Sequence, residues 1–363
     1  MKRAARVDFT FCILHFTFGI LLFSFASLRL CVSILAAEPP SRNDPEKTAA
    51  AMITPAADRA IDRGLAWLAR RQHEDGSFGT GTYPGNTGIT GLAGMAFLSS
   101  GSTPGRGPYG RPLNRCVDYL LQNAQQSGFI NAPRGAGHGP MYGHGFATLF
   151  LAECDGMSLR PEVRETLAKA VKLIVATQNK EGGWRYFPQR DDADISVTIC
   201  QMMALRAAHN AGLHVPKDTI DRSVQYVKRA QNADGGFRYM LEGTERESGF
   251  ARSAAAVVAL NGAGIYQGPE VEKALAYLMH FKPQPGVEQL VPYYEYGHYY
   301  AVQAMWQAGG DAWNAWYPAV RDDVINRQQA DGSWKSSVCE DYSTAMYLMV
   351  LELPNNLLPI FQR

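Results

Sequence analysis

The sequence predicts an all-α fold of six helical hairpins closed into a ring, and three observations predict it. A glutamine a few residues ahead of a glycine, mostly with an aromatic next, recurs along the chain. The copies are Gln72 in Gln-His-Glu-Asp-Gly-Ser-Phe, Gln125 in Gln-Gln-Ser-Gly-Phe, Gln178 in Gln-Asn-Lys-Glu-Gly-Gly-Trp, Gln231 in Gln-Asn-Ala-Asp-Gly-Gly-Phe and Gln328 in Gln-Gln-Ala-Asp-Gly-Ser-Trp. The gaps are 53, 53, 53 and 97 residues, the last close to two repeats, and such self-similarity marks an array of one supersecondary unit. Two kinds of helical pattern alternate between these elements, and glycine and proline punctuate both at matching places.

Residues 1–37 stand apart. Lys2, Arg3 and Arg6 precede an apolar stretch from Phe9 to Leu35, and Ala36 and Ala37 follow. A positive head, an apolar middle and a small-residue exit read as a secretory signal. The apolar part exceeds the ~7–15 residues usual for one, so an uncleaved anchor is the alternative, although Arg29 weakens a centred membrane span. Export to the periplasm or the exterior is expected, with membrane contact only through this segment. Residues 38–55 are a polar, proline-bearing linker, the repeats fill 56–353, and 354–363 form a C-terminal tail.

Within the repeats the expected hairpins are 56–100, 111–155, 161–212, 216–264, 269–309 and 315–353. In the third, Val163, Leu167, Ala170, Val171 and Ile174 make one apolar face with a charged back, an outer helix. The fourth copies it with Ile220, Val224 and Val227. The second helix of each pair, such as 195–208 or 253–260, is apolar nearly all round and therefore buried on every side. Pro161 and Pro216 precede outer helices, and Gly156, Gly212, Gly264 and Gly309 follow inner ones, where a left-handed cap wants glycine. Neither end repeat is more polar than the rest, as an open superhelix would need, so closure is preferred. The recurrent glutamine reads as a staple between repeats, its amide bonding free backbone groups at neighbouring helix ends. The fifth repeat lacks it, having Phe281-Lys282-Pro283-Gln284-Pro285, and irregular structure is expected there.

Without residues 1–37 the chain keeps 31 basic and 33 acidic residues, a net charge of −2, which suggests neither a nucleic-acid nor an anionic-membrane partner. Cys116, Cys154, Cys200 and Cys339 are far apart, with no Cys-x-x-Cys, so neither a zinc knuckle nor a disulfide framework is indicated.

The Gln…Gly-(Gly/Ser)-(Trp/Phe) elements resemble the repeats of squalene–hopene and oxidosqualene cyclases, shared more loosely with protein prenyltransferase β subunits. The resemblance covers about 56–353 and implies an (α/α)6 toroid with a central cavity. Related toroids also serve as polysaccharide lyases and binding domains, so the reaction stays open. In such a ring the six inner N-termini share one mouth. Residues at those first turns are Thr87 and Thr90; Tyr142 and His144; Asp192, Asp194 and Ser196; Glu247 and Arg252; Glu295, Tyr296, His298 and Tyr299; Glu340, Asp341 and Thr344. Asp194, Ser196 and Asp341 are also ordinary capping residues.

Asp191-Asp192-Ala193-Asp194-Ile195-Ser196 is the sharpest local match. The resembled cyclases carry Asp-x-Asp-Asp followed by Thr, and their central Asp protonates an alkene. Carried over, Asp192 takes the first place and Asp194 the central one, while Ile195 replaces the final Asp. Such chemistry demands a carboxylic acid kept protonated by burial yet made acidic by its hydrogen bonds. The expected catalytic group is thus Asp194 with Asp192, His144 and His298. The expected substrate-binding group is Tyr142, Arg252, Glu295, Tyr296, Tyr299, Trp306 and Asp341, because aromatic faces suit carbocations, isoprenoid chains and sugar rings alike. Zinc prenyl transfer fits poorly, since Tyr296, His298 and Ser343 stand for its Asp, Cys and His. No metal or other cofactor is expected. The leading reading is a cyclase-like enzyme or carrier of a terpenoid or polyprenyl lipid, an isomerase if it turns over. A carbohydrate-active toroid and a non-catalytic protein scaffold are the alternatives.

Overall fold

The computed structural model describes residues 49–133, 137, 139–284 and 291–362. The leader and most of the linker lie outside them, as does part of the irregular stretch expected after Phe281. Among the described residues there are no strands, only isolated bridges such as that between Ala124 and Ile130. The helices form six hairpins. They are α1 (Pro55–Arg71) with α2 (Thr87–Ser99), α3 (Gly110–Gln122) with α4 (Pro140–Asp155), and α5 (Pro161–Thr177) with α6 (Ile195–Asn210). The other three are α7 (Lys217–Arg229) with α8 (Phe250–Gly262), α9 (Pro269–Met279) with α10 (Tyr294–Ala308), and α11 (Gly310–Arg327) with α12 (Glu340–Glu352).

The two kinds of helix sort as their patterns require. Odd-numbered helices are outer and bury one face, as α5 does with Val163, Leu167, Ala170, Val171 and Ile174. Even-numbered helices are inner, and α2 is buried along its whole length. The last outer helix starts five residues earlier than expected and carries Pro318 inside it. Of the glycines expected to end inner helices in a left-handed turn, Gly212, Gly264 and Gly309 have positive φ, while Gly156 stays right-handed at φ −74°.

The ring closes. Inner helices pack in the order α2, α4, α6, α8, α10, α12 and back to α2. Small residues let them approach closely: a Cβ on Gly91 would lie 2.8 Å from the Phe146 carbonyl oxygen, and one on Gly145 2.5 Å from Cys200 Sγ. Across the seam Asp341 Oδ2 accepts from Gly79 N at 2.8 Å, Trp67 Nε1 donates to Asp331 at 3.1 Å, and Gln328 Nε2 donates to the Ala60 carbonyl at 2.8 Å. The tail is docked. Leu358, Ile360 and Phe361 are buried, and Gln307 Nε2 donates to the Phe361 carbonyl at 2.5 Å.

The glutamines staple the repeats as read. Gln72 Nε2 donates to the Gly76 and Pro112 carbonyls, Gln178 to Gly182 and Thr219, Gln231 to Gly235 and Glu270, and Gln328 to Gly332 and Ala60, all at 2.8–3.0 Å. Two amide protons therefore satisfy one carbonyl in the turn and one in the next outer helix. Each such bond contributes about 1 kcal/mol net. The turn itself needs glycine: Gly76, Gly128, Gly182, Gly235 and Gly332 have φ of +90° to +100°, and a Cβ on any of them would meet a carbonyl oxygen at 2.3–2.6 Å.

The second repeat departs from the reading by one residue. Gln125 N donates to the Phe129 carbonyl, as Asn179 N does to Gly183 and Gln329 N to Ser333. Gln125 therefore occupies the place after the staple, and Ala124 holds the staple position. Ile130, not Phe129, matches Trp184 and Trp334. Spacing alone was misled by two consecutive glutamines and by a phenylalanine one residue short of the aromatic place.

Candidate functional site

Solvent reaches the inner helices at their N-terminal ends. Tyr142, Ser196, Arg252, Tyr296 and Tyr342 are partly exposed there, and below that turn the inner helices are buried almost to their last turn. Two cavities among the described residues lie elsewhere. One of about 280 Å³ is on the outer layer near Ala124, and one of about 20 Å³ sits beside Gln303 and Phe361 at the opposite end. The open part of the ring is thus its N-terminal mouth.

Asp194 is a buried carboxyl at that mouth. The loop before it is pinned by Asn179, whose side chain bonds the Asp191 carbonyl and the Glu181 and Gly183 amides. Asp194 N then pairs with the Trp184 carbonyl at 3.0 Å. The side chain caps α6, Oδ1 accepting from Val197 N at 2.8 Å. Oδ2 is shielded from water and has no hydrogen-bond partner. Arg185 Nε stands 3.7 Å from it and 3.6 Å from the exposed Asp192. Burial lifts the Asp194 carboxyl to about 6 against the opposing pull of the Val197 amide, Arg185 and the Tyr239 hydroxyl. A carboxyl in that range both donates and accepts protons near neutrality.

Aromatic rings surround it. Arg185 lies over Tyr186 at 4.5 Å and near Tyr239 at 5.5 Å, and the two tyrosine hydroxyls bond each other. Tyr142 is 6.2 Å from Tyr186, ring to ring. Burial, and then the charge of Asp194, push the Tyr142 and Tyr239 hydroxyls well above their usual range. Tyr296 sits near enough to affect Tyr142 in turn, and its ring meets Tyr300 edge-on at 4.8 Å. Arg252, partly exposed there, lies over the Tyr239 ring at 6.0 Å. Asp194, Asp192, Tyr142, Tyr296 and Arg252 are therefore the predicted residues that the mouth gathers.

The other predicted residues have different surroundings. His144 is turned to the outer layer: its Nδ1 accepts from Ile130 N at 3.1 Å, and its ring lies 5.5 Å from Phe129. It does what hydroxyls do in the twin repeats, where Phe78, Trp184, Phe237 and Trp334 amides donate to Thr90, Thr198, Ser253 and Thr344. His298 holds the same position in α10 and lies among the rings of Tyr294, Phe250 and Trp316, 4.2, 4.9 and 5.6 Å away. Burial keeps both histidines neutral, lowering His144 to about 4 and His298 to about 3. Neither shares surroundings with Asp194, because two more residues along a helix carry a side chain about 200° round its axis.

Asp341 is committed to the seam, bonding Gly79 N and pairing with Arg71 at 3.4 Å. Arg252, in contrast, is held in the mouth beside Tyr239 by the Phe237 and Glu247 carbonyls at 2.9 and 2.7 Å. Glu295 accepts from the Ser336 hydroxyl, and Tyr299 is buried against Tyr300. Trp306 packs on Trp313 at 4.9 Å, about 18 Å down the helix from Tyr294 at 1.5 Å per residue. Among the described residues no three His, Cys, Asp or Glu side chains come together to hold a metal ion, and no helix is long and apolar enough to cross a membrane. Arg185, Tyr186 and Tyr239 were missed, although a signal existed: Gly-Gly-Trp-Arg-Tyr at 182–186 and Gly-Gly-Phe-Arg-Tyr at 235–239 repeat 53 residues apart.

Residues 147–293 match the family model of the squalene-hopene cyclase C-terminal domain. Over that stretch, 147 of the 363 residues, the chain is similar to that domain. A closed α/α ring of the same kind occurs in type II terpene cyclase MstE from Scytonema, solved with geranylgeranyl dihydroxybenzoate as substrate. The two are 14% identical with a TM-score of 0.56 over 84% of this chain and 98% of that one. An inactive variant of α-1,6-mannanase from a Salegentibacter species, in complex with α-1,6-mannotriose, is similar at a TM-score of 0.62 and 7% identity, over 83% and 99% of the chains. A D-mannose isomerase is similar at 0.58 and 14%, over 81% and 96%. At these identities the likeness establishes the fold. No functionally curated protein matches the sequence.

Proposed function

We propose that this chain is an exported protein of terpenoid or polyprenyl-lipid chemistry, which receives an isoprenoid-like lipid at the tyrosine-lined mouth with Asp194 as its acid. The observation that carries this reading is the state of Asp194: fully buried, one oxygen capping α6, the other 3.7 Å from Arg185 with no hydrogen bond, and the carboxyl lifted to about 6 beside Tyr142 and Tyr239. Protonating an alkene needs such a carboxyl, and the neighbouring ring faces stabilise the cation that follows. A cyclase or mutase reaction, an isomerisation, fits better than metal-dependent prenyl transfer. Ile195 is fully buried and apolar, so Tyr239 and Arg185 take over the tuning that a further aspartate would supply. MstE, which shares the ring, was captured with a geranylgeranyl compound, a molecule of the proposed class.

The test is solvent extraction of the purified protein with mass spectrometry of any retained lipid, followed by binding and turnover of linear isoprenoids by wild type and Asp194→Asn. Equal binding and equal turnover in the two proteins would remove Asp194 from the site. The carbohydrate-active reading is favoured by a different observation. Asp192 is solvent-exposed and shares Arg185 with the buried Asp194, and two carboxyls with environments that differ this much suit acid–base work on a glycan. Release of sugars from a glycan panel, lost in Asp192→Asn, is its test.

A further inference from the structure

Four of the five staple positions hold glutamine, and the second holds Ala124. The cavity of about 280 Å³ opens at that place, lined by Leu121, Ala124, Gln125, Gly128, Thr166 and Lys169 among others. Repeat register identifies its polar groups. The turn glycines Gly76, Gly182, Gly235 and Gly332 face the carbonyls of Arg115, Arg222, Lys273 and Arg63. In each case the staple's second acceptor lies three residues earlier, at Pro112, Thr219, Glu270 and Ala60. Gly128 faces the Lys169 carbonyl, so the matching acceptors here are the carbonyls of Gly128 and Thr166. The last repeat shows what the remaining oxygen of the amide finds, for the Arg63 guanidinium donates to Gln328 Oε1. Lys169 stands where Arg63 does and is exposed.

We infer that this pocket is a binding site for a neutral primary carboxamide, supplied either as a small amide or as the Asn or Gln side chain of another polypeptide. Two N–H groups meet two carbonyl oxygens, and one C=O meets an ammonium. An ammonium ligand would face the like charge of Lys169, and a carboxylate would face both carbonyls. The site is on the outer layer, shares none of its lining residues with the mouth, and stands independently of the function proposed there.

Unfolding of wild type and Ala124→Gln is measured in rising propionamide, N,N-dimethylpropionamide, or a short peptide with one internal glutamine beside its alanine counterpart. Propionamide at ten times its Kd lowers the wild-type unfolding constant about tenfold, and the dimethyl amide, which has no N–H, leaves it unchanged. Ala124→Gln alone lowers that constant by about thirtyfold, the yield of two net hydrogen bonds, and no longer responds to propionamide. A glutamine peptide that acts at lower concentration than propionamide assigns the site to a polypeptide side chain, and the reverse order assigns it to a free amide. Equal responses to the two amides, or equal responses of wild type and variant to propionamide, overturn the inference. Should Ala124→Gln fail to fold, the wild-type comparison of the two amides decides alone.

Discussion

Replacing Asp194 by Asn isolates the free energy of burying that carboxyl as a charge. Its pKa rises from an ordinary 3.8 to about 6 in the folded protein, which corresponds to about 3 kcal/mol at 1.36 kcal/mol per pH unit. The sign follows from proton linkage. A carboxyl with a raised folded pKa favours the native state most when protonated, so its stabilisation is complete below pH 3.8 and lost as pH climbs through 6. Asparagine cannot ionise, yet its Oδ1 still caps α6 by accepting from Val197 N, as Asp194 does. The stability of Asp194→Asn relative to wild type therefore increases by about 2 kcal/mol between pH 4 and pH 7, and other titrating groups cancel in the difference. Urea unfolding of both proteins at half-unit steps from pH 4 to 8 measures it. A difference that stays constant over that range would mean a hydrated, ordinary aspartate, and the acid assigned to the mouth would be lost with it.

Other outcomes are equally specific. Tyr239→Phe removes a hydroxyl that favours the ionised form of Asp194, so the midpoint of the pH-dependent difference moves above 6 in that background. His144→Ala leaves the Ile130 amide without its acceptor and destabilises by about 1–3 kcal/mol in thermal unfolding. His144→Thr, the residue of the twin repeats, recovers most of that loss. Gln328→Ala removes the bond to Ala60 across the seam and the one to Gly332 within its own turn, an effect of about 1–3 kcal/mol. Hydrogen exchange should show it as faster opening of α1, with α7 unaffected.

Much of the site was harder to read than the fold because a mouth residue is defined by angle as well as by height. Asp194 and Tyr142 were legible at the inner N-termini. His144 and His298 come from the same turns, but they point to the outer layer and serve an orphan amide or an aromatic niche. Asp341 reads equally as a capping residue or a ligand, and only the seam partners Gly79 and Arg71 decide it. Arg185 and Tyr239 sit in loops, where no periodicity orients a side chain. Their doubled Gly-Gly-aromatic-Arg-Tyr motif was the one available sign.

By itself the amino-acid order determined six hairpins, which helix of each lies inside, and the glutamine chemistry that ties neighbours together. All of these depend on local periodicity, helix-end chemistry and a repeat period that any reader of the chain can count. Tertiary packing alone decided which groups join the first and last repeats at the seam, that Ala124 rather than Gln125 takes the staple position, and that the buried Asp194 stands apart from both histidines. Those outcomes depend on which backbone carbonyl faces which turn and on the rotation of each inner helix about its own axis, and neither quantity is written in residue spacing.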